Sequence, residues 1–373
     1  MTDLLTLTGW GQRSNSFRFE LLDNQNSHIG DVDVDMSTPP SISNNINRSP
    51  KRQLNGLHLP PSVTADINTL TERVKPWMQF QDGTEYPLGV FLFADASRAL
   101  FNSGSVQLAG TGDAYWTTGT MLDQLVTLDQ GSRGINFYGP GHSIYDALVQ
   151  QLEAGGVLDY VIEATDAQVA DWIVWKPNTN RLKVINDLCA MAGFYSLFFD
   201  NQGVAQARKV PSMDAVDPLF TFEAGENVAA ESVVESDDQL DAPNSYVVVN
   251  TAFGKFPVWG EWKVPAEADH SYQKRGYYVV KEYDVQGVES NAQATVVAKA
   301  RGQSDYASYR WVNLSTAIDP RHDTFDVLSW KKEKYRSQQW GFTLSAGADM
   351  KHEMRRVWSS DVADLLEELE AAA

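Results

Sequence analysis

Histidine and cysteine are the side chains that would indicate a metal centre or a nucleophile, and this chain of 373 residues contains few of them. A helical zinc site needs ligands at positions i and i+4, or a histidine beside cysteine ligands. The six histidines have no such spacing: they are His28, His58, His142, His270, His322 and His352. Cys189, the one cysteine, lies on the apolar side of a predicted helix, which is typical of an inert buried thiol. The sequence predicts no metal ligand.

The glycine-dependent catalytic motifs are also missing. There is no G-x-S-x-G nucleophile elbow, no phosphate-binding P-loop and no G-x-G-x-x-G after a strand. Gly110-Thr111-Gly112 lacks the third glycine and the helix that should follow it, so we interpret it as a turn. The 49 acidic residues include no pair that spacing singles out for glycoside hydrolysis. We therefore assign no catalytic or cofactor-binding residue and no cofactor, and we predict that the chain is not an enzyme.

Two charged stretches could bind ions or nucleic acid. Asp31 to Met36 alternates three aspartates with three apolar residues, but it lacks the central glycine and terminal glutamate of a calcium loop. It predicts an outward-facing edge strand instead. Ser41 to Leu59 is polar and contains Arg48, Lys51 and Arg52. One interpretation is a nucleic-acid patch, and the preferred one is a solvated hairpin.

The chain contains eleven tryptophans, which can be interpreted in two ways. Protein interfaces are enriched in Trp and Tyr, so core and subunit-interface positions are the preferred interpretation. The alternative is a sugar-binding platform made of aromatic side chains. Its members would be Trp259, Trp262, Tyr277 and Tyr278.

The formal charge of −19 restricts the partners. A general binder of duplex DNA or of anionic membranes needs a basic footprint, which this composition lacks. The excess of acid fits solubility, a halophilic setting, or a surface past which nucleic acid moves without adhering. No apolar run approaches the ~18 residues that a membrane span requires. The start of the sequence lacks the features of a secretory signal, so we expect synthesis in the cytoplasm.

The stretch from Gly139 to Lys209 predicts a compact α/β module that begins with a short helix. Ser143 can cap this helix, with Asp146 as its capping-box partner. An apolar stripe at helical spacing would face the core: Ile144, Leu148 and Leu152. Gly155-Gly156 would end the helix.

A second helix and a hairpin complete the predicted module. Thr179 can cap the helix, and Gly193 lies where a left-handed C-terminal residue is wanted. The buried stripe would be Leu182, Ile185, Leu188 and Ala192. Two strands, Phe194 to Phe199 and Val204 to Val210, would follow, joined by a turn over residues 200–203.

The segments on either side of the module are predicted to be mostly β. Ser245 to Asn250 (SYVVVN) is typical of a buried strand. Ser290 can cap a helix of small residues that Gly302 would interrupt. Residues 361–373 predict one amphipathic, acidic helix.

Five segments, taken in order, resemble one family. They are FRFELLD at 17–23, SISNNINRSPKRQLNGLHLPP at 41–61, RVKPWMQFQDGTEYPLGVFLF at 73–93, NRLKVINDLCAMAGFYSLFFDNQG at 180–203 and AGENVAAESVVESDDQLDAPNSYVVVN at 224–250. The chain is similar to the baseplate hub and minor tail proteins at the tail tip of long-tailed, non-contractile bacteriophages. The similarity covers most of the chain, but the family's usual final strand is not recognisable.

This resemblance implies an α+β, β-rich fold with two similar β-barrels and two α/β insertions. The implied domains are 1–133 as the first barrel, 134–212 as the first insertion, 213–250 with 311–360 as the second barrel, 251–310 as the second insertion, and 361–373 as an acidic tail. Three such chains would form a pseudo-sixfold ring that matches a sixfold tail tube.

The resemblance also implies partners and a location. A structural homotrimer in the virion would join the distal tail ring and the end of the tape-measure protein to the host-recognition fibres, and it would gate the channel for DNA ejection. Viral DNA would pass through the lumen without specific binding. The alternatives are a receptor- or carbohydrate-binding tail protein and a cell-envelope hydrolase.

Overall fold

A computed structural model gives the fold of most of the chain. The described residues are 15–59, 67–99, 115–131, 134–169, 172–211, 216–223, 228–229, 232–237, 240–250, 257–266, 268–285, 290–305 and 310–357. The chain divides into two compact units. The first consists of Met1–Val210, Ser315–Phe325 and Gln339–Lys351, and the second of Pro211–Leu314, Asp326–Gln338 and His352–Ala373. The predicted turn at residues 110–112 and the predicted helix at 361–373 lie outside the described residues.

The secondary structure is mainly β. The first part of the chain contains β1 (Asn15–Leu22), β2 (His28–Val32), β3 (Ser41–Asn45), β4 (Arg52–Leu59), β5 (Arg73–Phe80), β6 (Glu85–Pro87), β7 (Phe91–Ala99) and β8 (Tyr115–Asp123). The middle contains α1 (Leu125–Leu128), β9 (Asn136–Tyr138), α2 (Ile144–Ala154), β10 (Tyr160–Ile162), β11 (Ile173–Trp175), α3 (Arg181–Met191), β12 (Phe198–Phe199) and β13 (Ala205–Ala207). The last part contains β14 (Phe220–Phe222), β15 (Val234–Asp237), β16 (Ser245–Asn250), β17 (Val258–Lys263), α4 (Tyr272–Arg275), β18 (Val280–Asp284), α5 (Asn291–Asp305), β19 (Arg310–Ala317), β20 (Val327–Trp330), β21 (Glu333–Thr343) and β22 (Asp349–Arg356).

An antiparallel sheet dominates the first unit. Its strand order is β2, β1, β5, β7, β8, β4, β3 and β21, and β6 pairs with β5. The edge strand predicted at Asp31 to Met36 is confirmed only in part: β2 lies at the edge of the sheet but ends at Val32, so Asp31 belongs to it, whereas Asp33 and Asp35 follow it. Alternate residues of these strands fill one core, which includes Phe19, Leu54, Met78, Phe91 and Phe342. In the described residues, no pairing joins β2 to β21.

The central α/β module belongs to the same unit. Ser143 caps α2, because its side chain accepts a hydrogen bond from the Asp146 amide, and Gly155 ends the helix. Gly193 has a φ of +70°, the left-handed conformation expected after α3. The apolar faces of α2 and α3 share one buried core with Leu125, Tyr138, Trp175, Phe199 and Ala205 among its members. The predicted helices and the turn at 200–203 are therefore confirmed.

The second unit contains two groups of strands. In the first, β20 pairs with β14 in parallel and with β21 through a tight hairpin, while β15 pairs with β19. The hairpin turn is Lys331-Lys332, and both residues have positive φ, as a type I′ turn requires. In the second group, β16 lies between β17 and β18, and α5 packs on one side of this three-stranded sheet.

Several local predictions were wrong in detail. Asn180, not Thr179, caps α3, because its side chain accepts a hydrogen bond from the Leu182 amide. The two strands of the module hairpin are reduced to β12 and β13. Helix α5 does not stop at Gly302 but continues to Asp305.

Close packing against tryptophan explains why Gly302 lies within a helix. A Cβ atom added at Gly302 would lie 2.1 Å from the indole of Trp262, so only glycine lets this ring reach the helix. Gly260 of β17 permits the same close approach of helix and sheet from the sheet side. A Cβ atom there would lie 2.2 Å from the Thr295 amide nitrogen of α5. Two glycines thus set the distance between helix and sheet.

Gly260→Ala should destabilise the second unit. The new methyl group would meet helix backbone, which cannot rotate away, so we expect a loss of about 1–3 kcal/mol in the free energy of unfolding. Gly30→Ala is the matched control, because nothing lies within 4 Å of the Cβ position there. Chemical denaturation of both variants measures the difference, and equal stability of the two would contradict the packing argument.

Candidate functional site

The side chain of Arg52 lies at the centre of a buried junction in the first unit. It is 2% exposed, although it begins a strand of a hairpin that the sequence predicts to be solvated. Its Nη2 atom is 2.7 Å from a carboxylate oxygen of Asp323, and its Nη1 atom donates to the side-chain oxygen of Asn201 at 2.5 Å. The guanidinium also lies 5.3 Å from the ring of Trp340. One cation thus joins the antiparallel sheet, the module hairpin and the loop at 319–325.

The same loop is held by contacts on both of its sides. Asn201 donates from Nδ2 to the carbonyl oxygens of Pro320 and His322, each at 3.0 Å. The ring of Phe325 stacks on that of Tyr195, with their centroids 4.2 Å apart. Because these contacts come from separate parts of the sequence, the module and the sheet are packed as one body within this unit.

The basic patch considered in the sequence does not exist on the surface. Lys51 is 6% exposed, and its Nζ atom donates to the carbonyl oxygen of Ile46. Burial lowers the pKa of Lys51. Of the three cations, Arg48 is the exposed one. The predicted hairpin is confirmed, but the prediction that it is solvated is wrong, because Lys51 and Arg52 are buried.

A polar cleft of about 390 Å³ lies beside this junction, within the first unit. Arg73 lines it and donates to the side-chain oxygens of Asn26 and Gln124, both at 2.6 Å. Burial lowers the pKa of Arg73. Leu158 and Asp159 form part of the cleft wall. In this part of the structure we find no nucleophile paired with a base.

The histidines and the cysteine are dispersed in the structure. No group of three or more His, Cys, Asp or Glu side chains is arranged to hold a metal ion in the described ranges. Cys189 is fully buried, and burial raises the pKa of its thiol to about 12, so it remains protonated. No helix among those described combines the length and the apolar character needed to cross a membrane.

The four aromatic residues of the alternative sugar platform do not share one surface. Trp262 faces α5, where its ring lies 5.8 Å from that of Tyr246. Trp259 is on the opposite side of the sheet and is 54% exposed. Tyr278 stacks on Tyr272, with ring centroids 4.3 Å apart. Since Trp262 is separated from Trp259 by the sheet itself, a continuous aromatic platform is not formed.

The side of the sheet away from α5 has an uncovered apolar centre. We call it the outer sheet face and define it by Val247, Val249, Trp259 and Val280. Trp259 is opposite Val249 and lies on the same side as Val247, while Val280 is 58% exposed. Glu282 and Asp284 continue the row of Val280 and are exposed. Glu261 and Lys263 of β17 also lie on this side and form an ion pair at 3.3 Å, so the face combines an apolar centre with an excess of acidic side chains.

A second uncovered apolar surface lies on the two-stranded ribbon of β9 and β11 in the first unit. We call it the outer ribbon face, and its members are Ile135, Phe137, Trp172 and Val174. Val174 is directly opposite Phe137, and the rings of Phe137 and Trp172 are 6.3 Å apart. All four side chains are 58–65% exposed. This ribbon is not among the elements predicted from the sequence, although its uncharged runs INFY and WIVW are typical of apolar strands.

No family model matches this sequence, and a sequence search of characterised proteins finds no match. Comparison of the fold is more informative. The fold is similar to that of the 43 kDa tail protein of prophage MuSo2 from Shewanella oneidensis, with a TM-score of 0.60 and 10% identity, over 92% of this chain and 98% of that one.

Two further solved structures have a similar fold. The tail protein from Neisseria meningitidis MC58 gives a TM-score of 0.58 at 10% identity, covering 92% of this chain and 98% of that one. Prophage tail protein gp18 from Listeria monocytogenes EGD-e gives 0.54 at 9% identity, covering 95% and 99%. The chain has the β-rich fold of phage tail proteins over nearly its whole length.

Removing the cation of the junction should destabilise the first unit strongly. Arg52→Met would remove the buried guanidinium that donates to Asp323 and Asn201, so we expect a loss of about 3–5 kcal/mol in the free energy of unfolding. Arg48→Met, at an exposed position of the same hairpin, should change stability by less than about 0.5 kcal/mol. Denaturant titration of both variants measures this, and a similar effect at the two sites would refute the assignment.

His270 should make the second unit sensitive to acid. It is 1% exposed, and its pKa falls from 6.5 to about 4, first because of burial and then because of nearby Arg275. Between pH 6.5 and 4 the unfolded chain binds the extra proton, so stability falls as the pH falls, by about 1.4 kcal/mol per unit. The non-titrating variant His270→Gln should show a shallower slope in denaturant titrations at several pH values. Parallel slopes would contradict the prediction.

Proposed function

We propose that this chain is a structural protein of the virion, forming the homotrimeric hub at the tail tip of a long-tailed phage. The observation that carries the proposal is the likeness of the fold to three tail proteins over 92–95% of this chain and 98–99% of theirs. Because the likeness covers nearly all of both chains, it reflects the whole architecture and not a single shared motif.

In this proposal each chain contributes two barrel-type domains to a pseudo-sixfold ring. Residues 1–133 form the first, and strands from 213–250 and 311–360 form the second. The insertions are 134–212 and 251–310, and the second is best extended to include β16, which pairs with β17 and β18. Residues 1–133 supply seven successive strands of one antiparallel sheet, in the order β2, β1, β5, β7, β8, β4 and β3, and the barrel assignment proposes that this sheet curls on itself.

The proposed partners are those of a hub. The distal tail ring and the end of the tape-measure protein would contact it from the tube, and the host-recognition fibres from outside. The formal charge of −19 supports a lumen that DNA crosses without adhering, because carboxylates repel phosphate. Burial of Lys51 and Arg52 removes two cations from the surface and increases this effect.

The two alternatives receive less support. A carbohydrate-binding protein would need adjacent aromatic rings, and the sheet separates Trp259 from Trp262. A cell-envelope hydrolase would need a catalytic constellation, and none stands out in the described residues. A non-enzymatic, structural function fits both observations, so the proposal assigns no catalytic residue and no cofactor.

The purified chain should have a solution mass of three times its own 41.5 kDa. Light scattering after size exclusion measures this mass, and class averages of negatively stained particles should show threefold rings with six peripheral lobes. A mass equal to one chain at concentrations well above micromolar would overturn the proposal of a homotrimeric hub.

A further inference from the structure

The outer ribbon face is too apolar to remain in water. Phe137 and Trp172 are 59% and 65% exposed, and with roughly 150–250 Å² per aromatic side chain they present on the order of 250 Å². Ile135 and Val174 enlarge the patch to the size that marks interaction sites. The two strands contain no charged residue that would discourage pairing with another protein. A partner must cover this face.

The outer sheet face differs from the ribbon in both shape and charge. It presents three strands, with Trp259 and Val280 more than half exposed and Val247 between them. Glu282 and Asp284 lie on one side of it, and neither forms an ion pair with the residues that the structure describes. On the ribbon, Lys176 is exposed and directly follows the last residue of β11, so it places a cation at the end of the ribbon. The two faces are complementary in charge.

A closed ring of identical chains needs two different faces on each chain. In a head-to-tail interface, one surface of a copy binds another surface of the next copy, whereas a twofold dimer pairs a surface with itself. This chain carries two unlike apolar faces, one in each compact unit. A standard interface covers about 800 Å² on each partner, so an apolar patch of this kind would form its centre.

We propose that the outer ribbon face of one copy packs on the outer sheet face of the next copy, and that this contact closes the ring. The inference rests on the proposed homo-oligomer and names the surfaces that build it. Phe137 and Trp172 contact Trp259 and Val280 across the interface. Lys176 lies towards the acidic side formed by Glu282 and Asp284, which fixes the orientation of the two chains.

Two blocked variants test the contact. Phe137→Glu places a charge on the outer ribbon face, and Val280→Glu places one on the outer sheet face. Each substitution alone should raise the dissociation constant between copies about 30-fold or more, so that the protein becomes monomeric. Leu70→Glu, at a 91% exposed residue outside both faces, is the control and should assemble as the wild type does. Circular dichroism and thermal unfolding verify the fold, and Trp172→Glu with Trp259→Glu replace any variant that does not fold.

Mixing the two blocked variants gives the decisive result. The mixture retains one intact ribbon and one intact sheet face, so it should form a one-to-one dimer and nothing larger. Native mass spectrometry with one variant mass-tagged detects this species. A mixture that remains monomeric, or a single variant that still forms rings, overturns the inference while leaving the homotrimer in place. A monomeric wild type overturns the proposed function as well.

Discussion

The first unit depends on one buried charge, the guanidinium of Arg52. A cation removed from water is costly unless anions and hydrogen-bond acceptors surround it. Its acceptors come from Asn201 and Asp323, residues 149 and 271 positions further along the chain. The sheet, the module hairpin and the returning loop must therefore converge for the charge to be stable. Folding of this unit is coupled to segments that are distant in sequence.

Two glycines impose a comparable constraint on the second unit. Gly260 and Gly302 let α5 approach the sheet so closely that Trp262 is enclosed between them. With one side of the sheet sealed by the helix, the apolar residues of the other side have no cover within the described chain. The same packing that makes this sheet stable also leaves a face for another molecule.

Together these features direct attention to the exposed surfaces of the protein. Lys51 and Arg52 of the polar hairpin are buried, and among the described residues the two tryptophans that are more than half exposed, Trp172 and Trp259, lie on the outer ribbon face and the outer sheet face. This chain shares its fold with phage tail proteins although the sequences are only 9–10% identical. At such low identity the architecture is the same, but the surface side chains can differ. The faces of this chain must therefore be identified from its own residues.

The elements that could be predicted from the sequence are those whose cause is local. Hydrogen bonds or backbone preferences within a few residues account for four such elements. They are the Ser143 cap of α2, the left-handed Gly193, the turn at 200–203 and the strand SYVVVN. The resemblance of ordered motifs also predicted the β-rich fold of phage tail proteins. The choice of Asn180 over Thr179 as a cap shows the limit of local reasoning, because either residue can accept the bond.

Which residues are buried and which faces are exposed depends on contacts that form in the folded protein. A polar hairpin gives no sign that Arg52 will meet Asp323, and Gly302 predicts a break until Trp262 is seen against it. Trp259 and Trp262 are three residues apart yet lie on opposite sides of the sheet, because side chains alternate along a strand. Burial depends on contacts between distant segments, and local sequence does not specify those contacts.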